Sequence, residues 1–386
     1  AATAGKRNRA VQTMKIGLVR RGYSPTGGAE SYLRRLAAGL AAAGHECVLF
    51  ASPRWPAGER PEGEFCPVVG RGPAAFADRL AALQPRRRCD VLFSLERVWQ
   101  CDCYRAGDGV HRVWLERRAR AAPGWRSWWR QWNPKHRQLL ALEAALFGPQ
   151  GARAVIANSQ LVAGEITDVY RCAPERIRVV YNGLPAAGFQ APEPEARARS
   201  RAALELAEED YALLFAGSGW ERKGLPDALS AIERLPDEPR PRLLVAGRGD
   251  TAAYRRRLSA RAAARVRFLG EVSDMRACYA AADVFVLPTL YDPFSNACLE
   301  ALASGLPVIT TAHNGFAELI EPGRDGEVLP PADDPADALG EALAKWSSRE
   351  LRLRTRAGRL AKAAAFTIER NVAQTLQIIT GEARAV

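Results

Sequence analysis

Short apolar runs of strand length recur along this chain, each followed by a stretch of helical pattern, and the series stops once and starts again. KIGLV (15–19), CVLFAS (47–52), DVLFSL (90–95), AVIANS (154–159) and IRVVYNG (177–183) form the first series. YALLFAG (211–217), RLLVAG (242–247), RVRFLG (265–270), DVFVLP (283–288), PVITT (307–311) and EVLP (327–330) form the second. Apolar runs of this kind are strands covered by helices on both faces, the βαβ rhythm of a parallel sheet. The first crossover helix is expected from about Ala29 to Ala43, ending at Gly44. Between the series lies LPAAGFQAPEPEARARS (184–200), which reads as a linker.

The chain is therefore expected to be α/β, with two Rossmann-like β/α/β domains facing each other across a deep cleft and ligands at the carboxyl ends of the strands. The expected boundaries are 14–186 for the first domain, 187–205 for the linker and 206–362 for the second domain. A final helix, 363–386, is expected to pack back on the first domain. Residues 1–13, polar and ahead of the first strand, read as a disordered leader or cloning remnant.

Composition narrows the function classes. No apolar run reaches the ~18 residues of a membrane span, and the first residues lack the apolar segment of a secretory signal. The net charge of +12, from 55 Lys and Arg against 43 Asp and Glu, favours an acidic partner: nucleic acid, an anionic membrane or a phosphorylated substrate. Eight cysteines form no C-x-x-C, so they read as reduced thiols of a cytosolic protein rather than a metal module, and four histidines argue against an imidazole-based metal site.

Three loops after strands carry candidate chemistry. RRGYSPTGGAE (20–30) ends with Gly27-Gly28 at a helix start, where free N–H groups favour anions. GSGWERKG (217–224) satisfies neither the dinucleotide fingerprint nor the phosphate-loop pattern, but it sets Arg222 and Lys223 on a glycine loop with Gly217, Ser218 and Gly219. Adjacent cations suit a diphosphate whose charge grows as it leaves. GRGD (247–250), with Arg248, ends the next strand and can approach the same ligand. In YDPFSNACLEALASG (291–305), Phe294, Ser295, Asn296 and Ala297 lead into a short helix whose N-terminus attracts an anion. Glu300, about one turn in, is placed to hold a vicinal diol such as a ribose, and Asp292, before the helix, to reach the hydroxyls of a second sugar.

These segments, with YNG (181–183), VRFLGEVSDMRACYAAADVFVLPT (266–289) and ALASGLPVIT (301–310), resemble in order and spacing the retaining nucleotide-sugar glycosyltransferases of family 4, and D-x7-E at 292–300 resembles their E-x7-E motif. Within the family the chain is most similar to the branch that glucosylates the lipopolysaccharide core, where GS-x-x-x-RKG also occurs. The resemblance implies the GT-B fold. It also implies transfer of a hexose, glucose first, from a UDP-sugar with retention and without a cofactor or metal. Glu300 matches the ribose-binding glutamate, Phe294, Ser295 and Asn296 the donor loop, Lys223 the diphosphate lysine assisted by Arg222, and Gly28 the glycine near the transferred sugar. Asp292 matches the first glutamate but is one methylene shorter, and Ser218 stands where most members carry arginine.

YRAGDGVHRVWLERR (104–118) falls where the family places acceptor-side residues, so Asp108 and His111 are candidates to orient or deprotonate the acceptor hydroxyl. The following segment (112–137) has five tryptophans and eight Lys or Arg against one Glu. That mixture suits an anionic membrane surface or an acidic glycolipid, and also single-stranded nucleic acid. The resemblance favours a lipopolysaccharide-type acceptor at the cytoplasmic membrane face over nucleic acid. A nucleotide-sugar epimerase on the same architecture and a catalytically silent sugar-nucleotide or nucleic-acid binding protein are the other readings of the sequence.

Overall fold

A computed structural model of the chain describes residues 13–23, 28–121, 133–185, 188–330 and 334–384. Two all-parallel sheets organise it. In the first, β1 (Lys15–Arg20), β2 (Glu46–Ala51), β3 (Glu64–Pro67), β4 (Val91–Ser94), β5 (Cys101–Ala106), β6 (Ala152–Ala157) and β7 (Ile177–Val179) lie in the order β3-β2-β1-β4-β5-β6-β7. In the second, β8 (Tyr211–Ala216), β9 (Pro241–Ala246), β10 (Val266–Gly270), β11 (Val284–Leu287), β12 (Val308–Thr311) and β13 (Gly326–Leu329) lie in the order β10-β9-β8-β11-β12-β13. Each sheet reverses its winding once, at β1/β4 and at β8/β11, and the loops beyond the carboxyl ends of such a reversal form a ligand crevice.

Two strands carry no strong apolar run and are not among those read from the sequence. β3 is short, and β5 (CDCYRA) contains two charged residues that are nonetheless buried. Asp102 accepts from the Leu92 N–H at 2.9 Å and pairs with Arg86, while the Arg105 guanidinium lies 4.1 Å from the centre of the Tyr32 ring. Tertiary partners satisfy both charges, so the strand survives a pattern that local reading rejects.

The first sheet has one apolar cluster on each face. One of them joins Leu33, Leu36 and Leu40 of the helix Gly28–Ala42 to Ile368, Val372 and Ile379 of the final helix, Ile368–Arg384. That helix belongs to the end of the chain and packs in the first domain. The approach is close: a Cβ at Gly39 would meet Val372 Cγ1 at 2.6 Å. The two chain crossings between domains are tied together, since the Leu184 N–H donates to the Phe366 carbonyl and the Ile368 N–H to the Leu184 carbonyl, both at 2.9 Å.

The stretch read as a linker contains a helix, Pro194–Ala203, docked on the second domain. Its Arg197 and Arg201 bond Asp283 and the backbone carbonyls of residues 280–282, which holds charged residues in an ordered element despite the linker-like composition. All eight cysteines are buried. Residues 1–12, nearly all of the expected leader, lie outside the described residues, as do 122–132 with Trp125, Trp128, Trp129 and Trp132.

Candidate active site

The loops leaving β8, β9 and β11 converge. A Cβ at Gly247 (φ +118°) would meet the Gly217 carbonyl oxygen at 2.3 Å, and one at Gly249 would meet the Trp220 ring at 2.2 Å. The two glycines of GRGD are thus demanded by loop-on-loop packing. Arg222 is fastened to the loop after β11: its carbonyl accepts from the Leu290 N–H and the Thr289 hydroxyl, both at 2.9 Å, and its Nη1 donates to the Tyr291 carbonyl at 2.8 Å. Lys223 runs along Gly217, and its ammonium donates to the Asp292 carboxylate; only 13% and 8% of the two side chains are exposed. The two sequence candidates of opposite charge therefore form one buried pair.

Directly after Asp292 the chain enters the helix Asn296–Ala303. Ser295 caps it, its hydroxyl accepting from the Cys298 N–H, while its own N–H donates to Asn314 Oδ1 at 3.2 Å. The first N–H groups of a helix lack intrahelical partners and carry its positive end, so this terminus faces an anion favourably. Glu300 follows about one turn later and accepts from the Tyr279 hydroxyl at 2.8 Å. Burial pushes the Glu300 carboxyl up to about 7, partly opposed by that hydrogen bond. A carboxyl held near neutrality gains from ligand hydroxyls that donate to its charged form.

Phe294 and Asn296 reach across to the first domain, where they line an inter-domain cavity of about 230 Å³ together with Arg20, Arg105, Asp108 and Asn158. Asn296 Oδ1 accepts from Asn182 Nδ2 at 2.7 Å, and Asn182 Oδ1 accepts from Arg105 at 2.7 Å. Two of the lining residues, Asn158 and Asn371, hold buried Oδ1 atoms without a hydrogen-bond partner among the described residues. Unsatisfied buried acceptors call for donors such as sugar hydroxyls. Asp108, 75% exposed in its side chain, lies 3.9 Å from the Arg97 guanidinium.

The structure does not bring every sequence candidate here. His111 is not among the residues lining the cavity. It opens the helix His111–Ala121, where its N–H donates to the buried Glu143 at 2.7 Å and its ring Nε2 lies 3.0 Å from His136 Nδ1. Burial beside Arg97 lowers its pKa to about 4, so the imidazole is neutral at pH 7 and packed in the fold. Arg248 is exposed and pairs with Glu271 at 3.0 Å; its backbone N–H, not its charge, reaches the Ser218 hydroxyl at 3.3 Å. Gly28 begins its helix as expected, and Gly27 lies outside the described residues. Arg105, Asn158 and Asn371 were not candidates; the first two sit at a strand end and just beyond one, while Asn371 arrives from the far end of the chain.

A larger cavity, about 950 Å³, opens between the helices Pro194–Ala203 and Arg349–Ala363, and none of the sequence candidates lines it. Its arginines 197, 201, 352 and 359 bond backbone carbonyls, which is structural work. Among the described residues no group of three or more His, Cys, Asp and Glu could hold a metal ion.

Comparison with known proteins agrees with this arrangement. Residues 26–187 match the model for glycosyltransferase family 4, and residues 210–348 that for glycosyl transferases group 1. A protein of Burkholderia thailandensis named "Probable transglycosylase" is 32% identical over 378 residues, 95% of this chain and 96% of that one. The chain is a family 4 glycosyltransferase. This glycosyltransferase spans only about half the length of several other curated relatives it matches. Its fold is that of WaaG, a glycosyltransferase involved in lipopolysaccharide biosynthesis, with a TM-score of 0.77 at 21% identity over 95% of this chain and 100% of that one. It is also that of Anabaena HepE in complex with UDP-glucose, with a TM-score of 0.68 at 20% identity over 94% and 99%. The two facing parallel-sheet domains of the glycosyltransferase are thus the GT-B architecture.

Proposed function

We propose that this glycosyltransferase moves a hexose, glucose in the first instance, from a UDP-sugar to an acidic glycolipid of the lipopolysaccharide-core type, with retention of anomeric configuration. The observation that carries the reading is the buried Lys223–Asp292 pair set just ahead of the capped N-terminus of Asn296–Ala303, with Glu300 one turn inside. In this reading Glu300 accepts hydrogen bonds from both ribose hydroxyls. The helix N-terminus, Lys223 and Arg222 meet the diphosphate, whose charge grows as the glycosidic bond breaks. These groups supply the positive charge without a metal ion. Asp292, ion-paired, accepts from hydroxyls of the transferred sugar and does not attack it.

In the transfer step the bond from the anomeric carbon to the β-phosphate oxygen breaks, and its electron pair stays on that oxygen. The same oxygen takes the acceptor's hydroxyl proton, and the acceptor oxygen bonds the anomeric carbon on the face just vacated. Asp108, on the opposite wall of the cavity, orients the acceptor hydroxyl. The basic, tryptophan-rich stretch 112–137 fits an anionic membrane surface or the acidic acceptor. Among the described residues no helix is long and apolar enough to cross a membrane, and we place the protein at the inner face of the cytoplasmic membrane. HepE was solved with UDP-glucose and WaaG is involved in lipopolysaccharide biosynthesis, which supports the donor and acceptor classes proposed.

A thermal-shift series over UDP-, GDP- and ADP-sugars tests the reading, because stabilisation follows ligand occupancy. UDP-glucose is expected to give the largest shift and to be turned over. A larger shift with GDP- or ADP-sugars overturns the choice of nucleotide, and no shift with any of them overturns the donor site itself.

A further inference from the structure

Tyr291 belongs by sequence to the second domain, one residue before Asp292, yet its side chain is 2% exposed and packs in an apolar cluster of the first domain. Its hydroxyl accepts from the Val110 N–H at 2.7 Å and donates to Glu165 Oε2 at 2.8 Å. Arg117 completes the socket: it bonds Glu165 Oε1 at 2.8 Å and lies 5.0 Å from the centre of the Tyr291 ring. The fit is close, since a Cβ at Gly109 (φ +68°) would meet the Tyr291 hydroxyl oxygen at 2.2 Å.

The peptide unit between Gly109 and Val110 is held at both ends. Its N–H goes to Tyr291 of the opposite domain, and its carbonyl accepts from Arg97 Nη2 at 2.8 Å. Asp108 is the residue just before that unit. On the other side, Tyr291 continues directly into Asp292, whose N–H donates to the His313 carbonyl at 3.0 Å. One hydroxyl thus joins the loop bearing the acceptor-side carboxylate to the loop bearing the donor-side carboxylate. Neighbouring bonds cross in the same direction: Ser159 Oγ donates to the Pro293 carbonyl at 2.7 Å, and Glu318 accepts from the Gln160 and Leu161 N–H groups at 2.9 and 3.2 Å. Leu184 and Phe366–Ile368 pair where the chain crosses between the domains.

We propose that Tyr291 is a positioning residue for glycosyl transfer: its hydroxyl, shared between Val110 and Glu165, sets Asp108 against the Asp292 loop in the closed cleft. The inference rests on the transfer reading above for its activity readout and on the geometry alone for the latch. A hydroxyl is required because it must accept from one partner and donate to the other, which phenylalanine cannot do. Leaving a buried carboxylate and a buried N–H without that partner favours separation of the two loops.

The test compares wild type with Tyr291→Phe, Glu165→Ala and Glu165→Gln. In Tyr291→Phe, kcat for UDP-glucose turnover should fall about tenfold, the equivalent of one lost hydrogen bond. KM for the donor should stay within about twofold, a split that marks loss of alignment rather than of donor binding. Glu165→Ala should reproduce the loss from the other domain, and Glu165→Gln, which keeps an oxygen for the hydroxyl, should recover most of it. Hydrogen exchange at the Val110 amide should quicken in Tyr291→Phe in the protein without any donor. Unchanged kcat, or kcat and KM worsening together with lost UDP affinity, overturns the positioning role, and unchanged Val110 exchange overturns the latch. A wild-type protein that turns over none of the three nucleotide-sugar classes sinks the transfer reading instead, while the exchange comparison still decides the latch.

Discussion

Replacing Glu300 by glutamine should change stability and ligand affinity in opposite directions. Burial raises the Glu300 carboxyl from its ordinary 4.5 to about 7. Between those values the folded protein holds a proton that the unfolded chain has released, so stability falls as pH rises through that window. Each pH unit is worth about 1.4 kcal/mol, and ionising Glu300 by pH 8 therefore costs the fold up to about 3 kcal/mol. Glutamine preserves an oxygen for the Tyr279 hydroxyl and carries no charge. The variant should melt with a Tm higher than wild type at pH 8, by roughly 6–12 °C if the second domain unfolds as a unit, and with an equal Tm near pH 4. Its UDP affinity at pH 8 should drop by about 1–3 kcal/mol, the range for a hydrogen bond to a charged group, read by titration calorimetry. A buried carboxyl whose ionisation costs the fold, and whose ionised form binds a diol, gives both effects together. Unchanged UDP affinity would falsify the ribose assignment, and a pH-independent difference in Tm would refute the raised carboxyl.

Lys223→Ala should cut turnover about 10²-fold, the loss seen when one transition-state donor is removed, and should also lower the Tm because Asp292 is left buried without its partner; wild-type turnover rules out the diphosphate role. Proton NMR of the first product from an α-linked donor should show an α linkage, and a β linkage or an adduct on Asp292 refutes retention by same-face attack. Activity should persist in excess EDTA; complete loss restored by Mg²⁺ or Mn²⁺ shows that Lys223, Arg222 and the helix terminus do not suffice. Trp128→Ala with Trp129→Ala should weaken sedimentation with anionic vesicles at low salt, and wild type that never sediments with them removes the membrane surface from the partners.

Most of the element order is legible in the sequence because it depends on local pattern. Strands such as YALLFAG and DVFVLP are buried on both faces and leave uninterrupted apolar runs, and the turn between domains shows as a stretch without them. Ser295, Asn296 and Glu300 can be placed at a helix start from spacing alone, since a helix fixes what lies one turn apart. Tertiary structure decided what depends on partners distant in the chain. β5 forms around buried Asp102 and Arg105 because Arg86, Leu92, Tyr32 and Asn182 satisfy them, and no periodicity encodes that. His111 and Asp108 share one short segment, yet Glu143 and His136 draw the histidine away while the aspartate lines the cleft. Lys223 and Asp292 are 69 residues apart and meet because the order β8-β11 makes neighbours of strands that the chain visits far apart. Tyr291 could be read as one more aromatic residue of its own domain; only the closed arrangement, with Val110 and Glu165 waiting at hydrogen-bond distance, makes it a residue of the other.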